Sequence, residues 1–283
     1  MTTTISNSNL TAQINHFGAE LYSLKNSEDK EYIWEGNPAF WGKHSPILFP
    51  IVGTLKNNSY NYNGIEYHLP RHGFARDMEF ELIEKTEKNA TFSIISSIKT
   101  RKVYRFDFEL QVIYTLDENK LNIDYKVINK NDFTMPFSIG AHPALALNGN
   151  FEDYSLEFQQ QEILKYHLLE DGLISNNTDE ISLNNRQLSL NYSLFENDAL
   201  VFKTLESKSI TILQNRLPLL KVNFSSFPNL GIWTVKNAPF LCIEPWFGYS
   251  DTLEDCDDFI MKEGIQLLKK NETFKSNFSL EIL

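Results

Sequence analysis

The feature that most constrains this chain is a long alternation of apolar and polar residues that no helix accommodates. Tyr104, Phe106, Phe108, Leu110, Val112, Tyr114 and Leu116 take every second position, with Arg105, Asp107, Glu109 and Gln111 among the residues between. On an extended chain successive side chains point to opposite faces, so this spacing collects the apolar set on one side. On a helix the same residues would be spread around the whole cylinder. A polar turn, Asp117–Lys120, follows, and Leu121, Ile123, Tyr125 and Val127 then alternate with Asn122, Asp124 and Lys126. An antiparallel hairpin is expected. A second one is expected around Asn63-Gly64, between Tyr60/Tyr62 and Ile65/Tyr67/Leu69. A two-residue turn of that type needs positive φ at both central positions, which Asn tolerates and Gly adopts freely.

Further strands are expected at 11–16, 20–24, 78–84, 91–98, 154–158, 200–204, 210–213, 219–224, 231–234, 241–244 and 274–282. Only 191–197 reads as a short helix, and there is no internal repeat or linker. With 42% hydrophobic and 13% aromatic residues, a 283-residue chain can fill one large core. The expected fold is all-β: a large antiparallel sandwich or barrel-like body, one domain over residues 1–283, with few short helices.

Charge and segment composition exclude several partners. A net charge of -11 leaves little to neutralise phosphates, so nucleic acid is not an expected partner. Residues 1–9 are polar and lack the apolar centre of a signal peptide, and no apolar run is long enough to span a bilayer. A cytoplasmic, non-membrane protein is expected. Cys242 and Cys256 show neither metal-ligand spacing nor a disulfide framework.

Three segments place ionisable groups among small or rigid residues. In Leu69–Arg76, Pro70 and Gly73 bracket Arg71-His72 on a loop after the second hairpin. Loops on a rigid scaffold often bind ligands, though a solvated loop would read the same. In Phe137–Pro143, alternation puts Ser138, Gly140 and His142 on one side. Gly140 would leave room for a ligand beside His142, and Pro143 would hold His142 extended. A structural histidine fits equally well. In Pro239–Gly248, Glu244 follows the apolar Leu241-Cys242-Ile243 at an expected strand end, where Pro245 would stop pairing. Desolvation there would raise its pKa and suit it to act as a base. Trp246 and Phe247 resemble an aromatic platform for a sugar ring. The bland alternative is a Glu244 held in a buried salt bridge with Arg71 or Arg76.

Five segments occur in order: Phe17-Gly18-Ala19-Glu20-Leu21, Ile47–Gly53, His72-Gly73-Phe74-Ala75-Arg76, Gly140-Ala141-His142-Pro143 and Ile243-Glu244-Pro245-Trp246. Together they resemble the aldose 1-epimerase (galactose mutarotase) family, in its LacX-like branch, across nearly the whole chain. The resemblance implies a β-super-sandwich with an open sugar cleft and no cofactor or metal. It also implies Glu244 as the base for the C1 hydroxyl, His142 as the acid for the ring oxygen, and His72 as the residue that holds that oxygen. Arg71, Arg76, Asp198 and Trp246 would contact the substrate, a small sugar or sugar phosphate, with Lys43 a further phosphate candidate. In that scheme an ionised Glu244 and a protonated His142 stand on opposite sides of the ring.

Three other readings compete. A non-catalytic carbohydrate-binding protein would need the sugar contacts but not the proton carriers. A metal enzyme would use His72, His142 and Glu244 as two histidines and a carboxylate, although no closely spaced histidine pair supports it. A glycosidase needs two flanking carboxylates, and only Glu244 and Asp198 are candidates.

Overall fold

In the computed structural model, which describes residues 1–254 and 258–283, the alternating run forms two long antiparallel strands, Phe108–Asp117 and Lys120–Asn129. Phe108, Leu110, Val112, Tyr114 and Leu116 are buried, while Glu109 and Gln111 on the other face are partly exposed. Asp117 pairs with Lys120, so the turn is only Glu118-Asn119, tighter than the expected four residues. The strand also starts later than the alternation does. A one-turn helix, Ile98–Arg101, closed by a Ser97/Thr100 capping box, delivers the chain to it. Tyr104 and Phe106 are therefore fully buried but lie outside the ladder.

Two large sheets carry the fold. The nine-stranded sheet runs in the order Gln187–Ser189, Tyr154–Phe158, Ser209–Gln214, Leu217–Asn223, Thr273–Ile282, Lys120–Asn129, Phe108–Asp117, Asn89–Ile95, Glu81–Lys85. The other sheet runs Leu173–Ser182, Ile163–Glu170, Leu200–Phe202, Asn229–Trp233, Phe240–Phe247, Ile139–Ala141, Ile47–Leu48, and Ala144–Ala146 also pairs with Phe240–Phe247. Inner-face residues of both, such as Leu110, Val112 and Leu280 against Ile232, Leu241 and Ile243, share one core. Burying each such side chain is worth roughly 1.5–3 kcal/mol, so the sandwich is held by this layer.

The Asn63-Gly64 turn has φ of 52° and 75°, as its sequence requires. Its strands, Ser59–Tyr62 and Ile65–His68, form a separate ribbon outside both large sheets. The expected helix at 191–197 is a 3-10 turn, Tyr192–Phe195. The hairpin Ile163–Glu170/Leu173–Ser182 was not expected, because Asn176, Asn177, Asp179 and Glu180 on this edge strand are all exposed and hide the alternation. Cys242 is a free, buried thiol, and Cys256 lies outside the described residues. Among the described residues no helix is long and apolar enough to cross a membrane.

Candidate active site

The strand Phe240–Phe247 builds the site by alternation. Leu241 and Ile243 enter the main core, so Cys242, Glu244 and Trp246 face outward. Pro245 does not end this strand; it sits opposite Leu230 and pairing continues to Phe247. Glu244 is therefore mid-strand, which corrects the expectation of a strand end. The proline is tolerated because the neighbouring strand on the other side breaks at His142-Pro143. Ile139 faces Phe247, Gly140 faces Trp246 and Ala144 faces Cys242, one continuous register that sets His142 opposite Glu244. Val201, Gly231, Glu244 and His142 thus form a single row across the sheet. His142 Nε2 lies 3.2 Å from Glu244 Oε2. The contact is close but not aligned as a hydrogen bond, and Oε2 has no hydrogen-bond partner among the described residues.

Trp246 lies flat in the floor. A Cβ on Gly140 would come within 2.5 Å of its Cδ1, and one on Gly231 within 2.4 Å of its Cη2. The space at Gly140 therefore belongs to Trp246 and is not kept for a ligand. Phe247 points to the opposite face, against Phe227 and Phe274 at 5.1 and 4.9 Å between ring centroids. The expected Trp246-Phe247 platform is not formed, because adjacent residues of a strand face opposite ways. The aromatic walls come instead from Trp41, stacked on His142 at 4.8 Å, and Trp233, edge-on to it at 5.7 Å. Trp41 sits on a loop pinned by the Trp34 indole N–H, which donates to its carbonyl at 2.9 Å. Sequence reasoning took Lys43 from that loop but passed over Trp41, because residue order does not show the loop folding over the sheet.

His72 reaches the site through backbone wiring. It has φ 69° and is followed by Gly73 at φ 72°, where a Cβ would come within 2.3 Å of the Phe49 carbonyl oxygen. The Gly53 N–H donates to His72 Nδ1 at 3.1 Å, and Arg71 Nε lies 3.2 Å from Nε2. A neutral imidazole has only one bare nitrogen, so His72 can accept only one of these two donors at a time, and a doubly protonated ring would face both. Arg71, Arg76, Asp198 and Trp246 all line a cavity of about 560 Å³ with His72, His142 and Glu244. Arg76 is anchored by donating to the Arg71 carbonyl at 2.8 Å. Asp198, at φ 75°, accepts the Ala199 N–H at 2.8 Å. Lys236, which the sequence did not single out, also lines the cavity, whereas Lys43 pairs with Asp77 at 3.0 Å outside it. Among the described residues no arginine forms an ion pair with Glu244, and His142 is its partner.

The profile of the aldose 1-epimerase family matches residues 1–281. The chain belongs to the aldose 1-epimerase family. Protein LacX of Lactococcus lactis subsp. lactis, in its plasmid form, is 36% identical over the full length of both chains. A galactose mutarotase related enzyme from Lactobacillus acidophilus superposes with a TM-score of 0.95 at 34% identity, covering 100% of this chain and 97% of that one. A galactose mutarotase-like protein from Lactobacillus casei gives 0.94 at 28% identity, with both chains fully covered.

In this aldose 1-epimerase family member burial works against the expected carboxylate–imidazolium pair. Burial pushes the Glu244 carboxyl well above the usual range; Arg71 and the Trp246 indole pull it back, and Asp198 adds to the rise. Burial, with Arg71 as the next cause, lowers His142 to about 3. His72 is also held well below its ordinary value, first by burial and then by His142 and the two arginines. Both shifts favour a protonated Glu244 beside a neutral His142. This is the same one-proton state as the expected carboxylate–imidazolium pair, with the proton on the other partner. The metal arrangement weighed for His72, His142 and Glu244 is not the one assembled: donor atoms of His142, Cys242 and Glu244 lie within 4.8 Å of one another.

Proposed function

We propose that the chain interconverts the α and β anomers of an aldohexose by acid–base catalysis, without a cofactor. Glu244 is the base and His142 the acid; His72 holds the ring oxygen, while Arg71, Arg76 and Asp198 contact hydroxyls above the Trp246 floor. The observation that carries this reading is the 3.2 Å separation of His142 Nε2 and Glu244 Oε2 in the floor of a cavity walled by tryptophans. The two groups stand side by side, not on opposite sides of a ring. That suits a hemiacetal, whose hydroxyl and ring oxygens are bonded to the same carbon.

On binding, the shared proton moves to His142. Glu244 takes the C1 hydroxyl proton as His142 gives its proton to the ring oxygen, and the C1–O5 bond opens to the aldehyde. After rotation about C1–C2, the protonated Glu244 returns its proton to the aldehyde oxygen. His142 accepts the C5 hydroxyl proton as the ring closes on the other face. Protons balance, and each positioned group is worth roughly 10²–10⁴-fold. Trp41 and Trp233 restrict water, which strengthens both interactions.

The sugar is free or phosphorylated. Arg71 and Lys236 line the cavity and form no ion pair among the described residues, so they are available to an anionic substituent. Exchange NMR on free and 6-phosphorylated aldohexoses tests the reading. Accelerated anomer exchange supports it. Saturable sugar binding without exchange would leave a carbohydrate-binding protein on the same fold.

A further inference from the structure

We propose that Cys242, His142 and Glu244 form a binding site for a zinc-class divalent ion that blocks the catalytic pair reversibly. The inhibition rests on the reading of Glu244 and His142 given above; the ion binding does not. The proton-transfer scheme makes no use of Cys242, yet the strand presents it on the same face as Glu244, two residues away. The register then sets His142 opposite Glu244. One donor atom from each of the three lies within 4.8 Å of the others, and all three residues are buried.

Donors bound to one tetrahedral zinc at ~2.0–2.3 Å are roughly 3.3–3.8 Å apart, so small side-chain rotations bring these three into reach. A second observation points the same way. Oε2 of Glu244 is only 3.2 Å from the imidazole, yet it is buried without a hydrogen-bond partner among the described residues. An ion taking this oxygen would therefore displace no hydrogen bond to it among the described residues.

A thiolate, an imidazole and a carboxylate suit a borderline-soft ion such as Zn²⁺ rather than Mg²⁺ or Ca²⁺. Binding would release the thiol proton and the single proton shared by Glu244 and His142, so a dication enters as two protons leave and the site stays neutral. Arg71 opposes the ion and Asp198 favours it. The cavity supplies a fourth position for water. With both proton carriers ligated, anomer exchange stops.

Zn²⁺ binding by calorimetry and Co²⁺ absorption read the site without reference to activity. The expected results are one Zn²⁺ per chain, a thiolate-to-cobalt charge-transfer band, and exchange that Zn²⁺ suppresses and EDTA restores. Cys242→Ala should weaken Zn²⁺ at least tenfold and lose the band while retaining exchange. Cys256→Ser, which removes the only other cysteine, should keep the band. If Cys242→Ala unfolds, the band in Cys256→Ser still reports on the Cys242 sulfur. Absence of stoichiometric binding, a band lost in Cys256→Ser, or binding unchanged in Cys242→Ala overturns the site. Cys242-dependent binding in a protein that exchanges no sugar would uphold the site and sink the functional reading instead.

Discussion

The outer faces of the two large sheets each present a carboxylate from the middle of a long strand, and only one of them becomes an active-site candidate. On the nine-stranded sheet Asp124 lies in a row with Thr91, Ile113 and Asn277, in an open groove of about 680 Å³. On the eight-stranded sheet Glu244 lies in a row with Val201, Gly231 and His142, under a smaller cavity of about 560 Å³. Burial raises both carboxyls, but Asp124 remains partly exposed while Glu244 is 2% exposed. Concavity and strand position are thus shared. What differs is the surroundings: Trp41, Trp233 and the His72 loop wall one face, and the sheet row itself supplies His142 as a partner for Glu244. A sheet sets where a side chain points, and the loops over it set its proton affinity.

The largest expected effect breaks the symmetry outright. Glu244→Gln is nearly isosteric but has no basic oxygen, so kcat/KM should fall by about 10²–10⁴ or more, while Asp124→Asn should leave it unchanged. Exchange NMR on both variants decides this, and equal losses would refute the comparison.

His142→Asn should cost a similar factor and also change the pH profile. Wild type needs the pair to hold one proton. Its kcat/KM should therefore fall in acid toward the His142 value of about 3, and in base through the raised Glu244 value. With asparagine only the ionised carboxylate matters, so the residual rate should rise with pH and level off. A surviving basic limb in this variant would mean that another group is the acid. His72→Gln should instead raise KM and keep the bell.

A smaller effect tests the walls. Trp41→Ala removes the ring stacked on His142 and admits water. Loss of an aromatic contact worth ~0.5–1.5 kcal/mol predicts KM up to about tenfold higher. The acidic limb should move toward the ordinary histidine range as burial is relieved. An unchanged limb would show that Trp41 is not what dries the pair.

The smallest effect is on stability. Folded Glu244 keeps its proton above the pH at which the unfolded chain loses it. Wild-type stability should therefore decline as pH rises from the ordinary carboxylate value through the raised one. Glutamine removes that penalty, so the Tm of Glu244→Gln relative to wild type should increase as pH rises above the ordinary carboxylate value. Asp124→Asn should show a smaller change of the same sign. Thermal melts in matched buffers measure both, and a gap that narrows with rising pH would contradict the buried-carboxyl assignment.

Much of this was legible in residue order. Period-two alternation determines which side of each long strand is apolar, and Asn63-Gly64 determines a tight turn, because both depend only on local backbone geometry. The segments carrying His72, His142 and Glu244 also stood out, since their glycines and prolines restrict the chain within a few residues. The polar edge hairpin at 163–182 did not, because exposed positions leave no apolar pattern to read. Nor did Trp41, Lys236 or the closeness of Cys242 to His142, which depend on register between strands about a hundred residues apart and on loops folding over them. Pairing that continues past Pro245 to Trp246 and Phe247 decides that Glu244 sits mid-strand. Sequence alone determined the chemical groups and the faces they occupy; tertiary structure decided which groups meet, and how dry they are, because register and burial are properties of the assembled sheets.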